Sequence, residues 1–176
     1  MLPVALTSSL DLRNVEREAA LTRLFSSHAS QLQRLAALLG AGHEAEDVVA
    51  EAFCDLHRKW GRLRDPEAAP AYLRSTVCNL VRMRVRHLQV VRRNPTDAPD
   101  DAASAEAQVV LREDQLEVVR ALQGLPDRQR EALVLRYWLD LKEAEVAAAM
   151  EISVGSVKAH TSRGMAALTR ALEGRR

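Results

Sequence analysis

Asn79, Arg82 and Arg86 stand at i, i+3 and i+7, the spacing that lines three side chains along one face of a helix. The chemistry open to them is non-covalent. A primary amide reads the hydrogen-bonding edge of a base, and guanidiniums bind phosphate or stack on bases, so the set suits a surface that holds opened nucleic-acid strands. Arg84 belongs to the same basic run, and no Asp or Glu occurs from Ala68 to Thr96. Taken alone, this face is equally compatible with an ordinary solvated, arginine-rich helix. Near the C-terminus a second polar set, Ser156, Lys158, His160 and Arg163, clusters in the first half of another helical pattern. Outward residues early in a recognition helix reach base edges in a major groove, while flanking Lys and Arg neutralise phosphates. The competing reading of that set is the solvated face of a small helical bundle.

No other residue grouping points to chemistry. The sequence has no Gly-rich phosphate loop, no Ser/His/Asp set and no paired carboxylates of the catalytic kind, so no enzymatic activity and no small-molecule substrate is expected. Cys54 and Cys78 lie far apart without a Cys-x-x-Cys or clustered histidines, which argues against a metal or other cofactor and for two buried or half-buried thiols. "MLPVALTSSL" lacks a basic n-region and a full apolar core, and no apolar run reaches bilayer length, so membrane insertion is not expected and a cytoplasmic location is.

The elements that must position these residues are helices. The chain is rich in Ala and Leu, has 3% aromatic residues and 7 Gly in 176 residues, a composition that favours helix throughout. Leu21, Leu24, Phe25, His28, Leu32, Leu35 and Leu39 recur at helical spacing up to the "GAG" of 40–42, with His28 read as a hydrogen-bonded core histidine. A second helix spans Glu44 to Trp60, with Ala45, Val49, Ala52, Phe53, Leu56 and Trp60 on one side and acidic residues in its first turn. Pro66 and Pro70 interrupt the pattern before a third helix, about 71–91, that buries Leu73, Val77 and Leu80. "NPTDAPDDAASAEAQ" then reads as a flexible acidic linker. Beyond it, Pro126 opens a helix with Ala132, Leu135, Trp138 and Leu139 in its stripe. A short helix from Lys142 to Met150 follows. Ser153 caps a last helix whose inner side holds Val154, Val157, Thr161, Gly164, Met165, Leu168 and Leu172. Two helices joined by a tight turn, the second with a polar, basic face, form a helix-turn-helix.

The formal net charge of +1 conceals two mildly basic lobes separated by an acidic strip. The expected architecture is all-α: two small helical domains, residues 1–93 and 114–176, joined by a flexible linker over 94–113.

Three blocks carry a resemblance to a known family. "EAEDVVAEAFCDLHRKW" (44–60), "AYLRSTVCNLVRMRVRH" (71–87) and "LPDRQREALVLRYWLDLKEAEVAAAMEISVGSVKAHTSR" (125–163) resemble the blocks of bacterial sigma factors. The likeness is to the extracytoplasmic-function (ECF) group of the sigma-70 superfamily, which keeps only domains two and four. The resemblance implies that Asp47, Val48 and Glu51 belong to the segment that docks on the clamp helices of core RNA polymerase. It implies that Asn79, Arg82 and Arg86 capture unpaired bases of the minus 10 element, and that the helix from Val154 reads the minus 35 element, with Lys158 and Arg163 at its basic positions. Promoter DNA and core RNA polymerase are thus the implied partners, with an anti-sigma factor as a possible third. Three positions depart from the family pattern: Met83 replaces a common acid, Glu151 occupies a turn position that is commonly Gly, and His160 stands where Arg is common. Two other readings compete. One is a helix-turn-helix regulator with an N-terminal sensor or dimerisation domain, and the other is an interaction protein that occupies a partner without reading DNA.

Overall fold

The computed structural model describes residues 9–93 and 113–174; the linker reading over 94–113 lies outside the described residues except for Glu113, which is helical. The described residues form seven α-helices and short tight or wide turns, with no strand among them: α1 (Ser9–Ala36), α2 (Ala45–Lys59), α3 (Ala69–Arg93), α4 (Glu113–Gln123), α5 (Asp127–Leu133), α6 (Glu143–Met150) and α7 (Val154–Glu173). The all-α expectation holds.

Helices α1 to α3 form the first lobe. Leu32, Leu35 and Ala36 of α1 pack on Val48, Val49, Ala52 and Leu56 of α2 and on Leu73 and Val77 of α3, all buried. The α1 chain closes in a wide turn, Ala37–Ala41, where Gly40 takes φ +108° and Gly42 φ +55°. Side chains other than Gly rarely tolerate that backbone, and at Gly40 an added Cβ would also come within 3.1 Å of the Arg130 guanidinium. Helix α2 carries Glu46 and Asp47 in its first turn and His57, Arg58 and Lys59 in its last, matching both ends of its dipole. Before α3, the Asp65 carboxylate accepts the Glu67 N–H at 2.9 Å with Pro66 opening the turn. Tyr72 donates its hydroxyl proton to Asp55, which Lys59 also contacts at 3.0 Å, tying α3 to α2.

The second lobe is built by α4 to α7. Ala132, Val134 and Leu135 pack against Val146, Ala149, Met150 and Val157. Gly164 lets α7 approach α5 closely: a Cβ there would meet Gln129 Cβ, Gln129 O and Leu133 Cδ1, each at 3.2 Å. The Ser153 hydroxyl accepts the Ser156 N–H at 3.1 Å and caps α7, as expected. Glu151, at the end of α6, lies in the left-handed region (φ 56°, ψ 43°), the conformation its turn position required.

Several apolar expectations are corrected. Phe25 is half exposed and instead stacks edge-on with Phe53, ring centroids 5.1 Å apart. Trp138 is exposed rather than core, lying at the end of the wide turn Val134–Trp138 that follows α5, and Val154 and Met165 of α7 are exposed as well. Cys54 is exposed, and only Cys78 is buried. His28 is half-buried and hydrogen-bonded to Ser27 and to the Leu24 carbonyl, in keeping with its reading.

The two lobes pack against each other. Gln123 donates to the carbonyls of Ala37 and Leu38 at 3.4 and 3.0 Å, and Arg130, buried, donates to the Leu39 carbonyl at 2.8 Å. Arg130 also reaches Asp127 and the carbonyls of Gln123 and Leu125, so one guanidinium satisfies the α4–α5 corner and grips the first lobe's wide turn.

Candidate nucleic-acid interface

Helix α7 presents its polar side as its spacing requires. Lys158 and Arg163 are exposed and Ser156 is half-exposed, while Val157 and Gly164 are buried on the opposite side. Lys158 Nζ lies 3.6 Å from Glu143 of α6, an exposed pair that costs little to exchange for a phosphate. His160 departs from the expectation of a fully outward residue. It is half-buried, its Nδ1 is sealed from solvent without a hydrogen-bond partner, and burial together with the nearby Arg163 and Arg128 cations lowers its pKa. A neutral, half-sealed imidazole adds no charge to the face.

Helix α2 carries the implied polymerase-docking residues. Asp47 and Glu51 are exposed on one side of it. Val48 is corrected: it is 0% exposed, packed in the first lobe's core, and offers no surface to a partner. Its contribution is to seat the helix that presents Asp47 and Glu51.

Helix α3 separates the basic run by face. Arg84 does not share the Asn79 side. It turns to α2, with Nη2 2.8 Å from Glu51 and Nη1 donating to the Glu44 carbonyl at 3.3 Å. Two of its donors are thereby committed within the lobe, which corrects its reading as a nucleic-acid contact. Asn79, Arg82 and Arg86 do share a face, and Arg86 is exposed. The other two meet the second lobe: Asn79 Nδ2 donates to Glu151 Oε1 at 3.0 Å, and Arg82 Nε sits 3.3 Å from Glu131 Oε1.

Glu131 was not legible as a site residue. It occupies α5 beside Ala132, is 3% exposed, and also accepts from Arg128 at 2.9 Å. Burial raises its pKa against the pull of Arg82 and Arg128. An acid adjoining an apolar stripe, with arginines at 128 and 130, was the available signal. The same burial, together with the Glu131 carboxylate, pushes the Cys78 thiol well above its usual range, so this cysteine is not a nucleophile. Among the described residues no cluster of His, Cys, Asp and Glu could hold a metal ion, and no helix is long and apolar enough to cross a membrane.

An apolar groove of about 740 Å³ runs between the end of α1, α4, the wide turn after α5 and α7. Val118, Tyr137, Trp138 and Met165 line it, the exposed apolar residues that the α5 stripe did not bury.

The geometry is shared with characterised proteins. Residues 24–90 match the family model "Sigma-70 region 2" and residues 115–168 match "Sigma-70, region 4". The chain is 32% identical over 154 residues to the ECF RNA polymerase sigma factor SigM of Mycobacterium tuberculosis, covering 87% of this chain and 77% of that protein. It is 32% identical over 134 residues to an RNA polymerase sigma-E factor of Streptomyces avermitilis, covering 75% and 73%. The fold is similar to that of the sigma factor RpoE, solved with the anti-sigma factor NepR from Bartonella quintana (TM-score 0.72, 22% identity, 88% of this chain and 98% of that one). It is also similar to CnrH, solved with the cytosolic domain of CnrY (TM-score 0.64, 22% identity, 89% and 90%). With both regions matched in order and the α2, α3 and α7 faces in place, the chain belongs to the sigma-70 family, in its ECF group, and is an RNA polymerase sigma factor that directs promoter-specific transcription initiation.

Proposed function

We propose a division of labour within that function. Residues 1–93 dock on core RNA polymerase through Asp47 and Glu51 of α2 and hold the opened minus 10 element through Asn79, Arg82 and Arg86 of α3. Residues 114–176 read the minus 35 duplex through Ser156, Lys158 and Arg163 of α7, and residues 94–113 join the two. The observation that carries this reading is that α7 and α3 present polar, basic faces of different design on one chain. The α7 face suits a duplex groove, and the amide and guanidiniums of α3 suit unpaired bases.

The chain performs no catalysis of its own in this reading: strand opening draws on binding of unpaired bases and on polymerase contacts. It acts in the cytoplasm. An anti-sigma factor is a further partner. A sigma factor of similar fold was solved with an anti-sigma factor bound, CnrH, also of similar fold, was solved with the cytosolic domain of CnrY, and the groove lined by Tyr137, Trp138 and Met165 is an unusually apolar surface for this chain.

Reconstituted transcription tests the proposal, using purified core polymerase and genomic promoter fragments with the chain present or absent. Start sites that require the chain are expected. Asn79→Ala with Arg82→Ala should abolish promoter opening and spare duplex binding, while Lys158→Ala with Arg163→Ala should change promoter selection. Unchanged transcripts from a chain that still shifts duplex DNA alone would favour a conventional helix-turn-helix regulator.

A further inference from the structure

Helix α3 exposes an apolar side chain in the middle of its polar face. Met83 is 66% exposed, the most exposed large hydrophobic residue among those described, and takes no part in the first lobe's core. At 100° per residue it lies about 40° around the axis from Asn79 and about 60° from Arg86, a turn after the one and a turn before the other. Leu73, Val77 and Val81, all buried, form the core side of the helix, centred roughly 120° away. Met83 is therefore not the edge of the buried stripe but a member of the opposite face. Arg86 and His87 are exposed beside it, and no Asp or Glu occurs from Ala68 to Thr96.

We propose that Met83 is a base-binding residue of the minus 10 site. Its thioether side chain packs on the face of an unpaired base, with Asn79 on a base edge one turn before it and Arg86 on the strand's phosphate one turn after it. The inference rests on the assignment of Asn79 and Arg86 to the minus 10 element.

Opening a duplex strips bases of their stacking partners, and a surface that holds the opened strand gains affinity by supplying replacements. Aromatic rings are the usual replacement, and inserted apolar side chains, Met among them, also serve against base steps. Tyr72 is the one Phe, Tyr or Trp of α3. It is half-buried, its hydroxyl donates to Asp55, and Lys59 Nζ sits 5.7 Å from its ring centroid, so its ring is already engaged. Met83 is free. An unbranched, polarizable thioether makes favourable contacts with aromatic rings and adapts its shape to the base it meets. Charge selects the ligand class: a strand brings phosphates for Arg86 together with ring faces for Met83, whereas an apolar protein surface would leave the guanidinium unpaired and desolvated. An acid, common at this position in the family, would repel those phosphates and offer no such ring contact, so the interaction is particular to this chain.

The test is a cycle between the side chain and the base. Holoenzyme assembled from core polymerase and the full chain is titrated with promoter fragments whose minus 10 element is unpaired, intact or with one base at a time replaced by an abasic site. Met83→Ala should weaken binding of the intact fragment by about three- to tenfold, and Met83→Leu should retain most of the affinity. For the unsubstituted chain one abasic position should carry a loss of at least that size, and in Met83→Ala the same abasic site should cost almost nothing further, the coupling expected of a direct contact. Affinity for core polymerase and the urea unfolding midpoint of Met83→Ala should match those of the unsubstituted chain. Unchanged affinity of Met83→Ala for the intact fragment, losses that add independently at every abasic position, or a defect confined to core binding, which would mark Met83 as a protein contact, each overturns the proposal. If Asn79→Ala also leaves binding of the unpaired element unchanged, the minus 10 assignment itself falls; if Asn79→Ala weakens it and Met83→Ala does not, only the role of Met83 is lost.

Discussion

Glu151 carries two burdens at once. An L-residue in the left-handed region costs about 1–2 kcal/mol, and Gly would return about 0.5–1 kcal/mol of that as backbone entropy in the unfolded chain. Glu151→Gly is expected to leave the fold as stable or raise its stability by up to about 1 kcal/mol in urea unfolding. A loss larger than that would show that the Asn79 contact outweighs the strain. His160 makes a second prediction. Its folded pKa lies below the ordinary 6.5, because of burial first and the neighbouring Arg163 and Arg128 next. The unfolded chain therefore binds the proton more readily, so the contribution of neutral His160 is present above pH 6.5 and is lost as pH falls through the lowered value. Glu131 has the opposite sign, since burial raises a carboxyl's pKa and acidification favours its folded form. Comparing unfolding free energies of the chain and His160→Gln across this pH range isolates the histidine; the difference should shrink on acidification, and a difference that grows contradicts the assignment.

At the scale of elements, each functional helix is held by residues that never meet a partner. Val48 seats α2, and Val48→Ala should cost about 2 kcal/mol in unfolding free energy. Asp47→Ala should instead leave stability unchanged and weaken binding to core polymerase in a titration. If Asp47→Ala lowers stability as much as Val48→Ala, the division between seat and surface is wrong. Gly164 sets how closely α7 approaches α5. The three contacts at 3.2 Å that a Cβ would meet include backbone and the near end of a side chain, which cannot swing away. Gly164→Ala is expected to cost about 1–3 kcal/mol and to displace the recognition helix, lowering affinity for minus 35 duplex even where the fold survives.

For the whole molecule, two basic lobes on a chain of formal net charge +1 mean that nucleic-acid affinity depends on local charge rather than total charge. Affinity of the holoenzyme for promoter DNA should fall steeply with salt as condensed counterions cease to drive binding. Lys158→Ala should reduce the slope of log affinity against log salt by about 1, across promoters alike. A slope that is flat from low to moderate salt would rule out phosphate contacts as the main source of affinity.

The periodicity of the apolar residues was enough to determine that the chain is helical, because a buried stripe at 3.6 residues admits one local structure, but not the wide turn at Val134–Trp138, through which the same stripe was read. Cap chemistry at Ser153 was legible for the same reason, being decided within a few residues, while the left-handed position at Glu151 was signalled only by the Gly common at that turn in the family it resembles. The burial of Val48 was missed: the stripe read on α2 passed from Ala45 to Val49, and the family resemblance placed Val48 on the docking surface, whereas it packs in the core. The covering of α3 was not legible. Spacing places Asn79, Arg82 and Arg86 on one face, but which atoms stand opposite that face depends on how the second lobe docks. The same holds for Arg84, one of several arginines in a row, which turned to Glu51 and Glu44 because α2 supplies carboxylates on that side. Local sequence determines which face a side chain takes; the meeting of Arg82 with Glu131, forty-nine residues away, was decided only by tertiary packing.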